Sequence, residues 1–214
     1  MKKNQPILII LAGGKSSRMG TPKGLLPFKD SYWILSQIEK FTIGDCIYIG
    51  LGFDSQLYFD AIPWLEKAIE SPQVYQNKKI QVVINSTPEF GFFSTLQAVL
   101  KVIHNSTELS QEVLITPIDV PIPNKETLET INSIDNHIVI PKFEQKNGHP
   151  VKLQASFWHQ LLDLEVKNSR LDIEIKKINT EQVTKVSVRD QNCLLNLNTP
   201  EEWNEFIRKK EEAV

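Results

Sequence analysis

Cysteine is nearly absent. The 214 residues hold two, Cys46 and Cys193, far apart and in no C-x-x-C pair. That excludes a disulfide scaffold and a cysteine zinc site, and it fits a reducing compartment in which both thiols act as small apolar side chains. Histidine is scarce as well. His104, His137, His149 and His159 show no H-x-x-x-H spacing, which speaks against zinc. Neither charge sign dominates: 24 Lys and Arg face 26 Asp and Glu, so no global basic field exists to hold nucleic acid, although a local basic pocket remains open. No run approaches the ~20 apolar residues of a membrane helix. Met1-Lys2-Lys3 ahead of Ile7–Ala12 imitates a signal peptide, but the apolar run is too short and Lys15 and Arg18 follow at once. A cytoplasmic protein without nucleic-acid or membrane partners is expected. Linkers of low complexity and internal repeats are also lacking, so residues 1–214 are read as one domain.

What is present is a chain of ordinary composition, 41% hydrophobic and 23% charged, long enough to bury a full core. Ile7–Leu11 is a continuous apolar run between Pro6 and Gly13-Gly14, the pattern of a strand buried on both faces. Further strands are expected at Cys46–Ile49, Ile80–Ile84, Val113–Thr116, Ile138–Ile140 and Val183–Val188, with a short one at Leu194–Leu197. Helical spacing marks Ser31–Phe41, Leu57–Ile69 with a break at Pro63, a helix opened and capped by Ser94 or Thr95, a helix capped by Asn124, and helices over Gln154–Leu164 and Leu171–Ile178. Thr199-Pro200-Glu201-Glu202 has the Thr cap, N1 proline and first-turn acids of a helix start. Alternating strands and helices predict an α/β fold with a doubly wound, mostly parallel sheet.

The most informative segment is Leu11-Ala12-Gly13-Gly14-Lys15-Ser16-Ser17-Arg18-Met19-Gly20-Thr21-Pro22-Lys23-Gly24-Leu25-Leu26. A glycine loop after a buried first strand lies at the carboxyl end of a parallel sheet, where ligands bind. Its amides can curl around phosphate oxygens, and Lys15, Arg18 and Lys23 add three positive charges. A Walker loop would need glycine where Ile9 stands, and G-x-G-x-x-G has no register here. The alternative is a solvated loop with incidental charges.

Asp119 closes the fourth strand in Ile118-Asp119-Val120-Pro121, on the same sheet edge. Such a carboxylate is a turn or cap residue, or a Mg²⁺ ligand beside phosphates. Asn196-Leu197-Asn198-Thr199 offers two neutral carbonyl oxygens next to a helix cap. Phe92 and Phe93 are pocket or core residues, and His149 is a surface residue or a fixed site residue between Gly148 and Pro150.

Leu11–Leu26 resembles the L-A-[GA]-G-x-S-x-R-M-G-x-x-K-x-L-L signature of the MobA-like nucleotidyltransferases, and further matches run along most of the chain. These enzymes move a nucleoside monophosphate from an NTP to a phosphorylated acceptor and release pyrophosphate. The resemblance implies a single Rossmann-like, GT-A-like domain with a nucleotide-binding part (1–142), an acceptor-side part (143–198) and a C-terminal helix (199–214). It places Arg18, Lys23 and Asp119 in catalysis. Leu11, Ala12, Gly13, Gly14, Lys15, Ser16, Ser17, Arg18, Lys23, Gly91 and Ser94 would hold the nucleotide. Gly148, His149, Pro150 and Arg170 would face the acceptor, Arg170 without the glycine that precedes it in relatives. Asp119 would bind Mg²⁺ with Asn198, or failing that Asn196.

The expected acceptor is molybdopterin, with a molybdoenzyme as a further partner. Gly13, Lys23–Leu26 and Asn196–Asn198 resemble guanylyl-type members, and a glycine at 13 leaves room for a purine. Gly148-His149-Pro150 resembles the cytidylyl type, so GTP is favoured over CTP. A sugar-1-phosphate nucleotidyltransferase and a non-catalytic nucleotide-binding protein are the rivals. A phosphate monoester is already a dianion near neutral pH, because its second pKa is ~6, so the transfer needs no general base.

Overall fold

The computed structural model describes residues 5–106 and 111–212. Met1-Lys2-Lys3 lies outside them. The first strand, β1 (Ile7–Ala12), is buried at all six positions. Ile7, Ile9 and Leu11 enter one hydrophobic cluster while Leu8, Ile10 and Ala12 enter the other, so period-two alternation puts one β1 face in each layer. It pairs in parallel with β4 (Cys46–Leu51) and β7 (Val113–Pro117). β6 (Lys78–Ile84) continues the parallel series beyond β4, and β11 (Val183–Ser187) runs parallel to β8 (Ile138–Phe143).

Among the described residues the sheet has nine strands, in the order β11-β8-β10-β7-β1-β4-β6-β5 with β9 (Lys146–Asn147) paired to β8. Its antiparallel members were not expected. β5 (Gln73–Tyr75) edges β6, and β10 (Val151–Leu153) is inserted between β7 and β8. A separate hairpin, β2 (Pro27–Phe28) with β3 (Ser31–Tyr32), precedes α1 (Trp33–Lys40). β10 escapes a sequence reading because its centre is Lys152, which is fully buried. The Lys152 ammonium donates to the carbonyls of Ile134 (2.5 Å) and Asn132 (3.4 Å) and to Glu112 Oε1 (3.1 Å). A buried cation so partnered escapes the penalty of an isolated charge.

Five helices cover the Leu8 face: α1, α2 (Ser55–Ala61), α3 (Trp64–Glu70), α5 (Lys125–Ser133) and α8 (Pro200–Glu211). The Ile9 face carries α4 (Phe92–Ser106), α6 (Ala155–Trp158) and α7 (Leu171–Lys176). α2 and α3 divide at Pro63, as its missing N–H requires. Asn124 caps α5 by accepting from Thr127 N.

Two local expectations are corrected. Ser94 and Thr95 do not cap α4, which starts at Phe92 after Gly91 at φ 79°; Ser94 donates backwards to Gly91 O and Thr87 O. Leu194–Leu197 forms no strand. A 3-10 turn over Gln191–Leu194 leads into an extended segment whose Leu197 N–H bonds Asp119 O (2.9 Å). No helix among the described residues is long and apolar enough to cross a membrane. Cys46 and Cys193 are free thiols, and burial pushes the Cys193 thiol up to about 11.

Candidate active site

The carboxyl ends of β1, β4, β6 and β7 open on one edge of the sheet, and the loop after β1 folds back over that edge. Ser16 takes a positive φ of 49°, its carbonyl accepts from Met19 N (2.8 Å), and its Oγ accepts from Lys23 N (3.2 Å). The loop closes a cavity of about 280 Å³, lined by residues 11–18, Lys23, Pro88, Gly91, Phe92, Thr95, Pro117–Asp119 and Asn198. Lys15 Nζ sits 4.6 Å from the Phe53 ring centroid, and Arg18 is exposed on the rim.

Lys23 occupies the centre of this cavity. Its ammonium donates to Asp119 Oδ2 and to Asn198 Oδ1, each at 2.7 Å. Backbone geometry explains why two groups 79 residues apart meet. The Leu197 N–H to Asp119 O bond ties the segment before α8 to the end of β7, and a capping box then fixes α8. In that box Thr199 Oγ1 accepts from Glu202 N, while Glu202 Oε2 accepts from Asn198 N (2.7 Å) and Thr199 N (3.1 Å).

A second cavity, about 1170 Å³, adjoins the first; Asp119, Pro117 and Phe92 line both. Its wall includes Gly148, His149, Arg170 and Asn196, together with Lys176, Thr180 and Lys185, which no motif marks out. Asn196 thus faces this cavity and not the Lys23 centre, and its Nδ2 donates to Leu194 O (3.2 Å). Arg170 is engaged by Asp172 through Nε (3.0 Å) and Nη2 (3.4 Å). Pro150 is buried and lines neither cavity. Gly148 packs against Cys193, whose carbonyl oxygen would lie 2.5 Å from any Cβ there. His149 Nδ1 lies 3.4 Å from Ile115 O, and burial pushes its pKa below the ordinary value.

On the opposite wall the two phenylalanines divide. Phe93 is 3% exposed and belongs to the core, while Phe92 is 39% exposed and forms cavity wall. Ser94 is buried with its hydroxyl committed to the backbone, and Thr95, not Ser94, lines the first cavity. A Cβ on Gly13 would stand 2.7 Å from Thr95 Oγ1 and 3.2 Å from Thr95 Cγ2, so the glycine makes room for Thr95.

The donor set suits a hard divalent cation. Asp119 and Asn198 present one anionic and one neutral oxygen to a common point, and the Lys23 ammonium between them shows that a cation fits there. One or two carboxylates plus substrate phosphates is the usual Mg²⁺ arrangement. The described residues hold no cluster of three or more His, Cys, Asp or Glu side chains fit for a metal, so phosphate oxygens would complete the shell.

Residues 8–178 match the family described as MobA-like NTP transferase domain. A molybdenum cofactor guanylyltransferase of Campylobacter jejuni is 26% identical over 212 residues, covering 96% of this chain and 97% of the relative. A probable molybdenum cofactor guanylyltransferase of Clostridium perfringens is 25% identical over 213 residues, 94% of this chain and 96% of its own. Among solved structures, Rv0371c of Mycobacterium tuberculosis superposes with a TM-score of 0.71 at 19% identity, covering 97% of this chain and 100% of that one. The same protein has been solved in complex with manganese.

Proposed function

The chain belongs to the MobA-like NTP transferase family, and on that premise we propose that it transfers GMP from GTP to the phosphate of molybdopterin, releasing pyrophosphate. The observation that carries this reading is Asp119. It lies at the junction of a glycine-lined, basic cavity and a larger one with an apolar wall, where two anions would have to meet. The guanylyl assignment draws on the names of relatives that span nearly the whole chain.

Asp119 and Asn198 would hold a divalent metal, Mg²⁺ by preference. When bound, the metal neutralises charge on the phosphate oxygens. The loop amides from Gly13 to Ser17, with Arg18, would cradle the triphosphate. Lys23 would turn from Asp119 towards the α-phosphate and stabilise the charge that develops in line with the departing pyrophosphate. No side chain needs to take a proton from an acceptor that is already dianionic.

The reading is checked by following pyrophosphate release from GTP with molybdopterin as acceptor. EDTA is expected to stop turnover, and Asp119→Ala to reduce it by at least ~10³-fold while the melting temperature stays within a few degrees. Full turnover by Asp119→Ala, or in EDTA, would overturn the metal site.

A further inference from the structure

The first cavity is lined by the charged side chains of Lys15, Arg18, Lys23 and Asp119 and by a wall of uncharged residues, Gly13, Pro88, Gly91 and Thr95 among them. Behind that wall lies a buried polar network whose hydrogen atoms can be counted.

Asn85, at the end of β6, is 4% exposed, and Ser94 and Thr95 are each 3% exposed. The backbone N–H of Thr87 can only donate, and it donates to Asn85 Oδ1 (2.9 Å). That fixes the amide, so Asn85 Nδ2 points the other way and donates to Ser94 Oγ (2.8 Å) and Thr95 Oγ1 (3.0 Å). Ser94 has one proton, with Gly91 O at 2.8 Å and Thr87 O at 3.1 Å to receive it. The Thr87 hydroxyl is within reach of Asn85 Oδ1 (3.3 Å). One proton is left over. The Thr95 hydroxyl accepts from Asn85, and no acceptor among the described residues lies within hydrogen-bonding distance of it. A buried hydroxyl donor without a partner is costly, and native structures rarely keep one without use. Its oxygen lies against Gly13, where a Cβ would approach to 2.7 Å, and both residues line the cavity.

We infer that the Thr95 hydroxyl donates to the 6-oxo group of the bound guanine and selects 6-oxopurines over 6-aminopurines. The inference rests on the guanylyl-transfer reading and adds to it the residue that reads the base. Adenine presents an amino group at that edge, which cannot take the hydroxyl proton and leaves it without an acceptor. Cytosine presents its own exocyclic amine on a shorter ring. A site built to bond a polar group rejects the analogue that lacks it more strongly than a hydrophobic site can. Thr95 is suited to the task because Asn85 holds its oxygen and its Cγ2 packs where a Cβ on Gly50 would come within 2.7 Å, so the side chain has little freedom to turn away.

The test is calorimetry in Mg²⁺ with GTP, 2-aminopurine riboside triphosphate (guanine without its 6-oxo group), ATP and pyrophosphate. Wild-type protein, Thr95→Val and Thr95→Ser are compared. Wild type is expected to prefer GTP over the 2-aminopurine analogue by about tenfold or more, the value of one hydrogen bond. Thr95→Val keeps the Cγ2 methyl and puts a second methyl in place of the hydroxyl. It should weaken GTP by about tenfold and leave the analogue and pyrophosphate within about twofold, and Thr95→Ser should restore the preference. The ligand series on wild-type protein stands even if Thr95→Val folds poorly. Equal loss for GTP and the analogue, or an unchanged preference in Thr95→Val, would overturn the role of Thr95 and leave guanylyl transfer standing. A wild-type protein that binds none of the nucleotides would overturn both.

Discussion

Lys23 holds the two oxygens that a divalent metal would need. Its ammonium, 2.7 Å from both Asp119 and Asn198, acts as an internal competitor as long as no phosphate draws it away. Lys23→Ala is therefore expected to bind Mn²⁺ about tenfold more tightly in the absence of nucleotide, read from the free-ion paramagnetic resonance signal. Its turnover should fall ~10²–10³-fold, with a smaller rise in the GTP Michaelis constant. Unchanged Mn²⁺ affinity would show that Lys23 does not guard the site. Gly13 carries a different lesson. From sequence it reads as space for a purine, yet its missing Cβ is space for Thr95. Gly13→Ala should cost about 1–3 kcal/mol in denaturant unfolding through overpacking and, by crowding the Thr95 hydroxyl, weaken GTP more than CTP, whereas an equal loss for both would show that the crowding does not reach the base. That Arg18, Lys23 and Asp119 line one cavity could be anticipated because their residue types suit phosphate and metal. Thr95 was hidden, since a threonine at the start of a helix looks like a cap until its hydrogen bonds are traced.

Elements with chemical punctuation were legible and those defined by pairing alone were not. The start of α8 could be read from Thr199-Pro200-Glu201-Glu202 because a capping box is a local device. β10 has three residues and exists only through β7 and β8, and β5, equally short, is the first arm of a tight hairpin with β6. The capping box also reaches the site, because Glu202 binds the backbone N–H of Asn198 as well as that of Thr199. Thr199→Ala is expected to cost about 1 kcal/mol of stability in thermal unfolding. It should also raise the Mg²⁺ concentration needed for half-maximal activity severalfold, because Asn198 loses its fixed orientation. A stability loss with no change in Mg²⁺ dependence would separate the cap from the metal site.

For the molecule as a whole, strand order decides where chemistry can occur. Parallel β1, β4, β6 and β7 deliver their carboxyl ends to one edge, and the antiparallel insertion of β10 brings His149 to the flank of β7, beside Asp119. The alternation of strands and helices foretold the first arrangement. The second could not be foretold, because it depends on a fully buried lysine in the middle of a strand. Two adjoining cavities with one shared carboxylate then make a site for joining two phosphorylated molecules. The direct measurement is the fate of label from GTP carrying ³²P at either the α- or the γ-phosphorus, incubated with molybdopterin and Mg²⁺. Nucleotidyl transfer predicts that α-label appears in the acceptor and γ-label in pyrophosphate, in equal amounts. Label from the γ-position in the acceptor, or α-label that stays in nucleotide while GTP is bound, would contradict it.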